Sequence, residues 1–207
     1  MERLFQGIRN FSEKEFNEHK ELYEDLSRQQ NPHTLFIGCS DSRVLPGKML
    51  NTLPGEVFMI RNVANIIPPS EEAESHQAVI ASLEYAVHVL GVENIIVCGH
   101  SNCGGCQALS NSKEEMALLP HTYEWLSFAR PAFDQVEAFK HNHSHEEVER
   151  FIEQANIVTQ MGHLLTYDYI KEKHDQGQLK IYGWYYDIGE GKFFNYNTDI
   201  EAFELVK

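Results

Sequence analysis

Residues 98–107, "CGHSNCGGCQ", contain three overlapping patterns, and each of them could support a different chemistry. Cys103 and Cys106 form a C-x-x-C pair, which can exchange disulfides when it begins a helix. The glycines of this stretch have the G-x-x-x-x-G spacing that opens a phosphate-binding loop. His100 lies three residues before Cys103, as in part of a zinc site. The three patterns imply different proteins, so other parts of the sequence must decide among them.

The phosphate-binding pattern is incomplete. A functional loop needs a Lys and then a Ser or Thr directly after its second glycine, because these residues reach the phosphates and Mg²⁺. Gly105 and Cys106 occupy those two positions. We therefore do not expect a nucleotide site here.

A redox role for the C-x-x-C pair is a possible alternative. A helix N-terminus can lower the pKa of the first thiol and make it nucleophilic. Disulfide exchange gives no role to His100 in the same turn, or to Asp41 and Arg43 beside a third cysteine. We expect Cys106 to be a small buried residue instead, as cysteines commonly are.

A zinc site accounts for more of the sequence. Cys39, His100 and Cys103 would supply two thiolates and an imidazole from two loops, and Zn²⁺ favours both ligand types. Three protein ligands leave one of the four positions open, which is typical of a catalytic zinc site.

The elements that must position these residues can be predicted from apolar periodicity. Strands are predicted over 33–40, 56–65, 94–100 and 179–188, followed by an antiparallel strand over 189–197 and a short terminal helix. Helices are predicted over 13–29 with Ser12 as the N-cap, over 71–90 ending at Gly91, and over 104–110, 114–128 and 132–141, with Pro120 and Pro131 as breaks. A long helix is predicted from the Ser144-x-x-Glu147 capping box to Gly177.

This alternation of strands and helices predicts an α/β fold. We expect a central, mainly parallel sheet of about four parallel strands plus an antiparallel edge strand, flanked by helices. Residues 1–207 should form a single domain, with 1–30 as an N-terminal helical arm. Ligands bind beyond the carboxyl ends of parallel strands. Cys39 and His100 follow the first and third strands, so both would reach one sheet edge, and the adjacent glycines 104 and 105 would allow a tight turn.

Composition excludes several classes of function. The chain of 207 residues carries 17 basic and 31 acidic side chains, a net charge of −14, which disfavours binding to nucleic acid or to anionic membranes. No apolar run approaches the roughly 20 residues that span a bilayer. The opening stretch "MERLFQGIRNF" has no apolar core like that of a secretory signal, so we expect a cytoplasmic protein. Its partner should be a small molecule or a second copy of itself.

Three motifs carry a family resemblance. "CSDSRV" at 39–44, "RNVAN" at 61–65 and "HSNCGG" at 100–105 strongly resemble the β-class carbonic anhydrases, and the resemblance covers nearly the whole chain. It implies that Cys39, His100 and Cys103 bind one Zn²⁺ per chain. It also implies a zinc lyase that reversibly hydrates CO₂ to bicarbonate and a proton, and a dimer or tetramer.

The resemblance also implies a role for each catalytic residue. Zinc lowers the pKa of bound water, and the resulting hydroxide attacks CO₂. Asp41 would orient this hydroxide, and Arg43 would hold Asp41 through a two-pronged hydrogen bond that Lys cannot make. Two thiolates cancel the formal charge of Zn²⁺, so the bound water should be less acidic than it is on a zinc ion with neutral ligands. We therefore expect the rise of activity with pH to be centred above neutrality.

Some members of the family close the site by moving this Asp onto the metal, in which case Asp41 would be a fourth ligand. Those members bind bicarbonate away from zinc with a Trp, an Arg and a Tyr. Arg61 and Tyr186 match the last two, whereas Phe36 stands at the Trp position and has no indole N–H to donate. We therefore expect an open site.

Three further alternatives remain from the sequence. The same fold and metal could hydrolyse CS₂ or COS, and a zinc protein of this kind could act without catalysis, as a sensor or scaffold. The third is the C-x-x-C thiol oxidoreductase. The Asp41–Arg43 pair favours CO₂ hydration.

Overall fold

A computed structural model describes residues 1–137 and 140–207. Its centre is a six-stranded sheet in the order β2-β1-β3-β4-β5-β6. The first four strands in this order are parallel, and β5 and β6 are antiparallel to their neighbours. The strands are β1 (Thr34–Cys39), β2 (Val57–Asn62), β3 (Asn94–His100), β4 (Lys180–Asp187), β5 (Lys192–Asn197) and β6 (Ala202–Leu205).

Helices cover the sheet and connect its strands. The α-helices are α1 (Glu2–Asn10), α2 (Phe16–Glu18), α3 (Lys20–Leu26), α4 (Pro46–Met49), α5 (Gln77–Glu84), α6 (Gly104–Gln107), α7 (Pro120–Leu126), α8 (Arg130–Glu137), α9 (His145–Leu164) and α10 (Asp168–Asp175). Short 3₁₀ turns occur at Val63–Asn65, Ser70–Ser75, Ala108–Ser110, Ser127–Ala129 and Lys140–Asn142, and π-helical turns at Phe11–Glu15 and Tyr85–Val89.

The strands β1 and β3 form the buried centre of the sheet. Every residue of β1 is buried, as expected for a parallel strand with both faces covered. The two strands pair in parallel, with Gly38 opposite Cys98. Their carboxyl ends therefore meet at one edge, as predicted. Helix α9 packs across β3 and β4, where Ile157 is fully buried.

The N-terminal arm differs from the prediction. Helical structure already begins at Glu2 and continues through a π-helical turn, so the helix does not start at residue 13. Ser12 is not an N-cap. Its hydroxyl lies inside that turn and donates to the carbonyl of Ile8 at 3.1 Å, since a helical Ser can bond back to the preceding turn.

In the middle of the chain, the predicted short helix after Cys103 is confirmed. The prediction that two prolines break helices there is wrong. Pro120 is the first residue of α7 and Pro131 lies in the first turn of α8, so both begin helices instead of breaking them. This agrees with the preference of Pro for the first helical turn, where its missing N–H is not needed. The helix predicted over 132–141 includes residues 138–139, which lie outside the described residues.

The long predicted helix is two helices. Its capping box is confirmed, because Ser144 accepts from the Glu147 N–H and the Glu147 carboxylate accepts from the Ser144 N–H. The helix ends at Leu164 instead of Gly177, and α10 follows. Tyr167 turns the chain between them, and its hydroxyl donates to the Pro68 carbonyl at 2.7 Å.

The end of the chain is a strand, β6, and not the predicted helix. It pairs antiparallel with β5, so two antiparallel strands lie beside the four parallel ones and β6 forms the edge. Phe203 of β6 packs against the rings of Tyr196 and Tyr185. In the described part of the chain, the helices are all too short or too polar to cross a bilayer.

Candidate metal centre

Three possible metal ligands meet where β1 and β3 end. Cys39 is the last residue of β1, His100 is the last residue of β3, and Cys103 follows in the next turn. One ligand atom from each lies within 4.8 Å of the others, and all three residues are buried. The parallel pairing of β1 with β3 is what brings Cys39 to the other two.

The imidazole of His100 is oriented for a metal. Its Nδ1 lies 2.9 Å from the Ser101 carbonyl, which can only accept, so Nδ1 carries the proton and Nε2 keeps its lone pair. Nε2 is buried and has no hydrogen-bond partner among the described residues. A ring whose other nitrogen donates to a carbonyl is the usual arrangement of a metal-binding histidine.

The two thiols need a cation to ionise. A hydrogen bond with Cys103, together with burial, raises the pKa of Cys39 to about 12. The pKa of Cys103 is also raised, mainly by the Cys106 thiol beside it. A bound Zn²⁺ would stabilise both thiolates, because its two charges compensate theirs. Two thiols and a free imidazole nitrogen in a buried cluster therefore fit zinc, which prefers sulfur and nitrogen ligands.

The turn that carries Cys103 is followed by a close approach of the Gly105 backbone to the side chain of Ala64. The chain reverses at Asn102, which has a left-handed φ of 55°. A Cβ added to Gly105 would lie 2.9 Å from the Cβ of Ala64, whereas one added to Gly104 would meet nothing within 4 Å. Gly105 is thus required by packing. Neither Gly104 nor Gly105 has a positive φ, so the turn does not use the left-handed conformation that favours glycine at either position.

Asp41 and Arg43 form a fork beside the three ligands. Arg43 donates from Nε to Asp41 Oδ1 at 2.9 Å and from Nη2 to Oδ2 at 2.8 Å. Its Nη2 also donates to the Asn102 carbonyl at 2.9 Å, which ties the loop after β1 to the loop after β3. These bonds hold the pKa of the Asp41 carboxyl far below its usual range. Asp41 Oδ2 lies 3.9 Å from His100 Nε2, so the ionised carboxylate faces the ligand cluster.

Arg61 and Tyr186 both lie near this centre. The Arg61 guanidinium donates to the carbonyls of Cys39 and Asp41, at 2.9 and 2.7 Å from its Nη2. Tyr186 stacks on Phe193, with ring centroids 4.7 Å apart. Phe36 is fully buried in the same cluster as Tyr186. Arg61 thus supports the backbone of the loop that holds Cys39.

Glu153 is a residue of the site that sequence reasoning missed. It lies on α9, is only 3% exposed, and accepts from the backbone N–H of Cys103 at 2.9 Å. Its other oxygen accepts from the Tyr185 hydroxyl at 2.9 Å. Burial raises the pKa of Glu153 to about 7. The sequence did carry a signal, because Glu153 falls on the same helical stripe as the buried Ile157.

Two amides on the same stripe hold the chain segment behind the centre. Asn156 donates to the Ala64 carbonyl at 2.9 Å, and Gln160 accepts from the Ile67 N–H at 2.8 Å. Ala64 itself has a left-handed φ of 61°, which costs a residue with a Cβ some energy. Helix α9 therefore fixes both the turn at Cys103 and the segment that Gly105 packs against.

The remaining cysteines do not join the cluster of ligands. Cys98 and Cys106 are buried, and all four cysteines are free thiols. The Sγ of Cys106 accepts from the Asn156 side chain at 3.8 Å. Cys106 thus packs behind Cys103 as a small buried residue, as expected.

Comparison with known proteins agrees with this geometry. Residues 34–193 match the family model described as carbonic anhydrase. The chain is 40% identical to the carbonic anhydrase of Helicobacter pylori strain J99, over 98% of this chain and 93% of that protein. It is also 40% identical to a carbonic anhydrase of Synechocystis, over 98% of this chain and 73% of the other.

Solved structures give the same result. The β-carbonic anhydrase CcaA superimposes with a TM-score of 0.94 at 36% identity, covering 100% of this chain and 92% of that one. A tetrameric β-carbonic anhydrase from Sordaria macrospora has a TM-score of 0.77 at 28% identity, over 94% and 95% of the two chains. A match over most of the chain, in sequence and in fold, identifies the family. The chain belongs to the β-carbonic anhydrases, a family of zinc enzymes.

Proposed function

We propose that this protein catalyses the reversible hydration of CO₂ to bicarbonate and a proton, with Cys39, His100 and Cys103 as its zinc ligands. The observation that carries the proposal is the meeting of these three ligand atoms within 4.8 Å, directly beside an ionised carboxylate. When bound, zinc would act as a Lewis acid that makes hydroxide available near neutral pH.

The residues around the ligands have separate tasks. Asp41 is acceptor-only when ionised, so it can take a hydrogen bond from the attacking oxygen and direct the lone pair of that oxygen at CO₂. Arg43 keeps Asp41 in this orientation through its two-pronged hydrogen bond. Because the fork holds Asp41 in place and the cluster of ligand atoms within 4.8 Å consists of Cys39, His100 and Cys103, we propose an open site in which Asp41 is not a ligand.

A second bicarbonate site at Arg61 and Tyr186 has less support. The Arg61 guanidinium is engaged with the carbonyls of Cys39 and Asp41, and Phe36 offers no hydrogen-bond donor. Regulation by bicarbonate at this position therefore stays a prediction from the resemblance. The expected rise of activity above neutral pH also stays a prediction.

The other functions considered from the sequence are less favoured. A thiol oxidoreductase would use Cys103 and Cys106, but it gives no role to the Asp41–Arg43 fork or to the free Nε2 of His100. A hydrolase of CS₂ or COS would use the same ligands. The carbonic anhydrases that match nearly the whole chain favour CO₂ as the substrate.

We further propose that residues 1–207 form one domain that self-associates in the cytoplasm. Helix α1 exposes Leu4, Phe5 and Ile8, which are 62%, 49% and 62% accessible, and none of its residues is buried. A second copy could cover this apolar face of the arm at 1–30. The tetrameric β-carbonic anhydrases of Sordaria macrospora support this. Ile8→Glu should lower the oligomeric state in sedimentation experiments, and an unchanged state would contradict the proposed role of the arm.

Stopped-flow measurement of CO₂ hydration, on protein whose zinc content has been determined, tests the proposed activity. Wild-type protein with one zinc per chain should be active, and Cys103→Ala should lose both zinc and activity. Zinc-loaded wild-type protein that does not hydrate CO₂ would overturn the proposal. Parallel assays with COS and CS₂ would then identify the substrate.

A further inference from the structure

The proposed reaction releases a proton that must reach solvent in every turnover. Asp41, whose carboxylate faces the ligand cluster, has both oxygens engaged by Arg43. Glu153 lies behind Cys103, with its own two oxygens bound to a backbone N–H and a hydroxyl. These hydrogen bonds hold both carboxylates in place, so a side chain that moves the proton outward would be another one close to the centre.

A cavity of about 420 Å³ is lined by Ser40, the residue that follows the proposed ligand Cys39. Ser40 follows Cys39 in the chain, and Asn62 is the neighbour of Cys39 in the register of β1 with β2. The cavity is roomy enough for several water molecules and has polar groups to bond them. It is lined by Ser40, Asn62, Val63, His121, Thr122 and Trp125.

His121 is the only residue of this lining with a titratable side chain. Imidazole is the side chain suited to gain and lose a proton near neutral pH. His121 is exposed to solvent, whereas Cys39, the chain neighbour of the lining residue Ser40, is buried. A proton that reaches this cavity could therefore pass from His121 to bulk water.

Helix α7 fixes the backbone position of His121. It is the second residue of α7, directly after Pro120. This helix is tied to the site because Trp125 donates from Nε1 to the Val63 carbonyl at 2.9 Å. Another nearby histidine, His76, is packed against the rings of Trp125 and Phe128 and does not line the cavity.

We propose that His121 is the proton-transfer residue of this enzyme. This inference rests on the proposed CO₂ hydration. In that reaction CO₂ and water give bicarbonate and H⁺. Neutral His121 takes the H⁺ through waters in the cavity and becomes imidazolium. It then gives the same proton to a buffer base in solution and returns to the neutral form, so the cycle balances without another reactant.

Steady-state kinetics of His121→Gln test this assignment. Proton transfer to buffer follows the departure of bicarbonate, so it limits kcat and does not enter kcat/KM. In a dilute buffer of low proton-accepting capacity, kcat should fall about tenfold or more while kcat/KM stays unchanged. Added imidazole buffer should restore kcat by accepting the proton directly. His174→Gln, on the exposed helix α10, is the matched control and should leave both constants unchanged.

The possible outcomes separate the two proposals. An unchanged kcat in His121→Gln would overturn the assignment and leave CO₂ hydration standing. A parallel fall of kcat and kcat/KM that imidazole does not rescue would also overturn it, since that pattern indicates structural damage. Zinc-loaded wild-type protein without CO₂ hydration would overturn the proposed function and this inference with it.

Discussion

The carboxylate of Glu153 accepts a hydrogen bond from the backbone N–H of Cys103, with a distance of 2.9 Å between Oε1 and N. A buried residue on α9 thus anchors the turn that presents the proposed zinc ligand Cys103. The Tyr185 hydroxyl satisfies the second oxygen. A buried carboxylate keeps this position only because both oxygens have partners.

Replacing Glu153 should therefore destabilise the protein. Glu153→Leu leaves the Cys103 N–H and the Tyr185 hydroxyl without acceptors, so we expect a loss of about 3 kcal/mol in the free energy of unfolding. Glu153→Gln retains an acceptor oxygen and should cost about 1 kcal/mol. Urea unfolding of the zinc-loaded proteins measures both. Equal stabilities of the two variants would show that the hydrogen bonds do not matter.

Adjacent glycines allow a matched test of the packing behind the centre. Gly105→Ala places a Cβ 2.9 Å from that of Ala64 and should destabilise the protein by about 2 kcal/mol. The Cβ that Gly104→Ala adds has no atom within 4 Å. This variant should leave the free energy of unfolding unchanged or raise it by up to about 1 kcal/mol, because Ala favours helix more than Gly does. Thermal unfolding compares the pair, and similar values for both would contradict the close approach.

Arg43→Lys should reduce activity without removing the metal. Lysine cannot form the two-pronged bond to Asp41 or reach the Asn102 carbonyl in the same geometry. We expect kcat/KM to fall by about 10²-fold because the orientation of Asp41 is lost. Zinc content, determined on the same samples, should stay near one per chain. Full activity in this variant would exclude the fork from the mechanism.

Variants of Cys106 and His100 distinguish the zinc enzyme from a thiol oxidoreductase. Cys106→Ser should keep zinc and CO₂ hydration, because Cys106 lies behind the ligands. His100→Ala should lose zinc and activity. A thiol oxidoreductase would show the reverse, with His100→Ala active and Cys106→Ser inactive. Metal analysis and stopped-flow assays on the two variants decide between these patterns.

His163 should contribute a pH-dependent term to stability. Burial lowers the pKa of its imidazole, which lies 2.7 Å from the Ile67 carbonyl and donates to it from Nδ1. The unfolded chain then binds a proton more readily, so this contribution is lost as the pH falls below about 6.5. Urea unfolding between about pH 7 and pH 5.5 should show a smaller loss in His163→Gln than in wild type. Parallel curves for the two proteins would contradict the prediction.

Much of the fold could be read from local sequence patterns. The apolar runs that became β1 and β3 predicted buried parallel strands, because only such strands are apolar on both faces. The capping box at Ser144 predicted the start of α9, since its hydrogen bonds join residues only three apart. Local signals of this kind do not depend on the rest of the fold.

Other elements depended on contacts between distant segments. Residues 202–205 have a helix-compatible sequence, but pairing with β5 makes them a strand, because tertiary contacts outweigh weak propensities. Similarly, no glycine or proline marks the break after Leu164. The break is held instead by the bond from Tyr167 to the Pro68 carbonyl.

The sequence by itself determined the chemistry of the site. The types and spacing of Cys39, Asp41, Arg43, His100 and Cys103 specify thiolate and imidazole ligands beside an oriented carboxylate. Only the tertiary structure brought in Glu153 and placed His121 on the same cavity as Ser40, the residue after Cys39. The physical reason is that ligand chemistry belongs to single side chains, whereas support and proton transfer depend on distances across the fold.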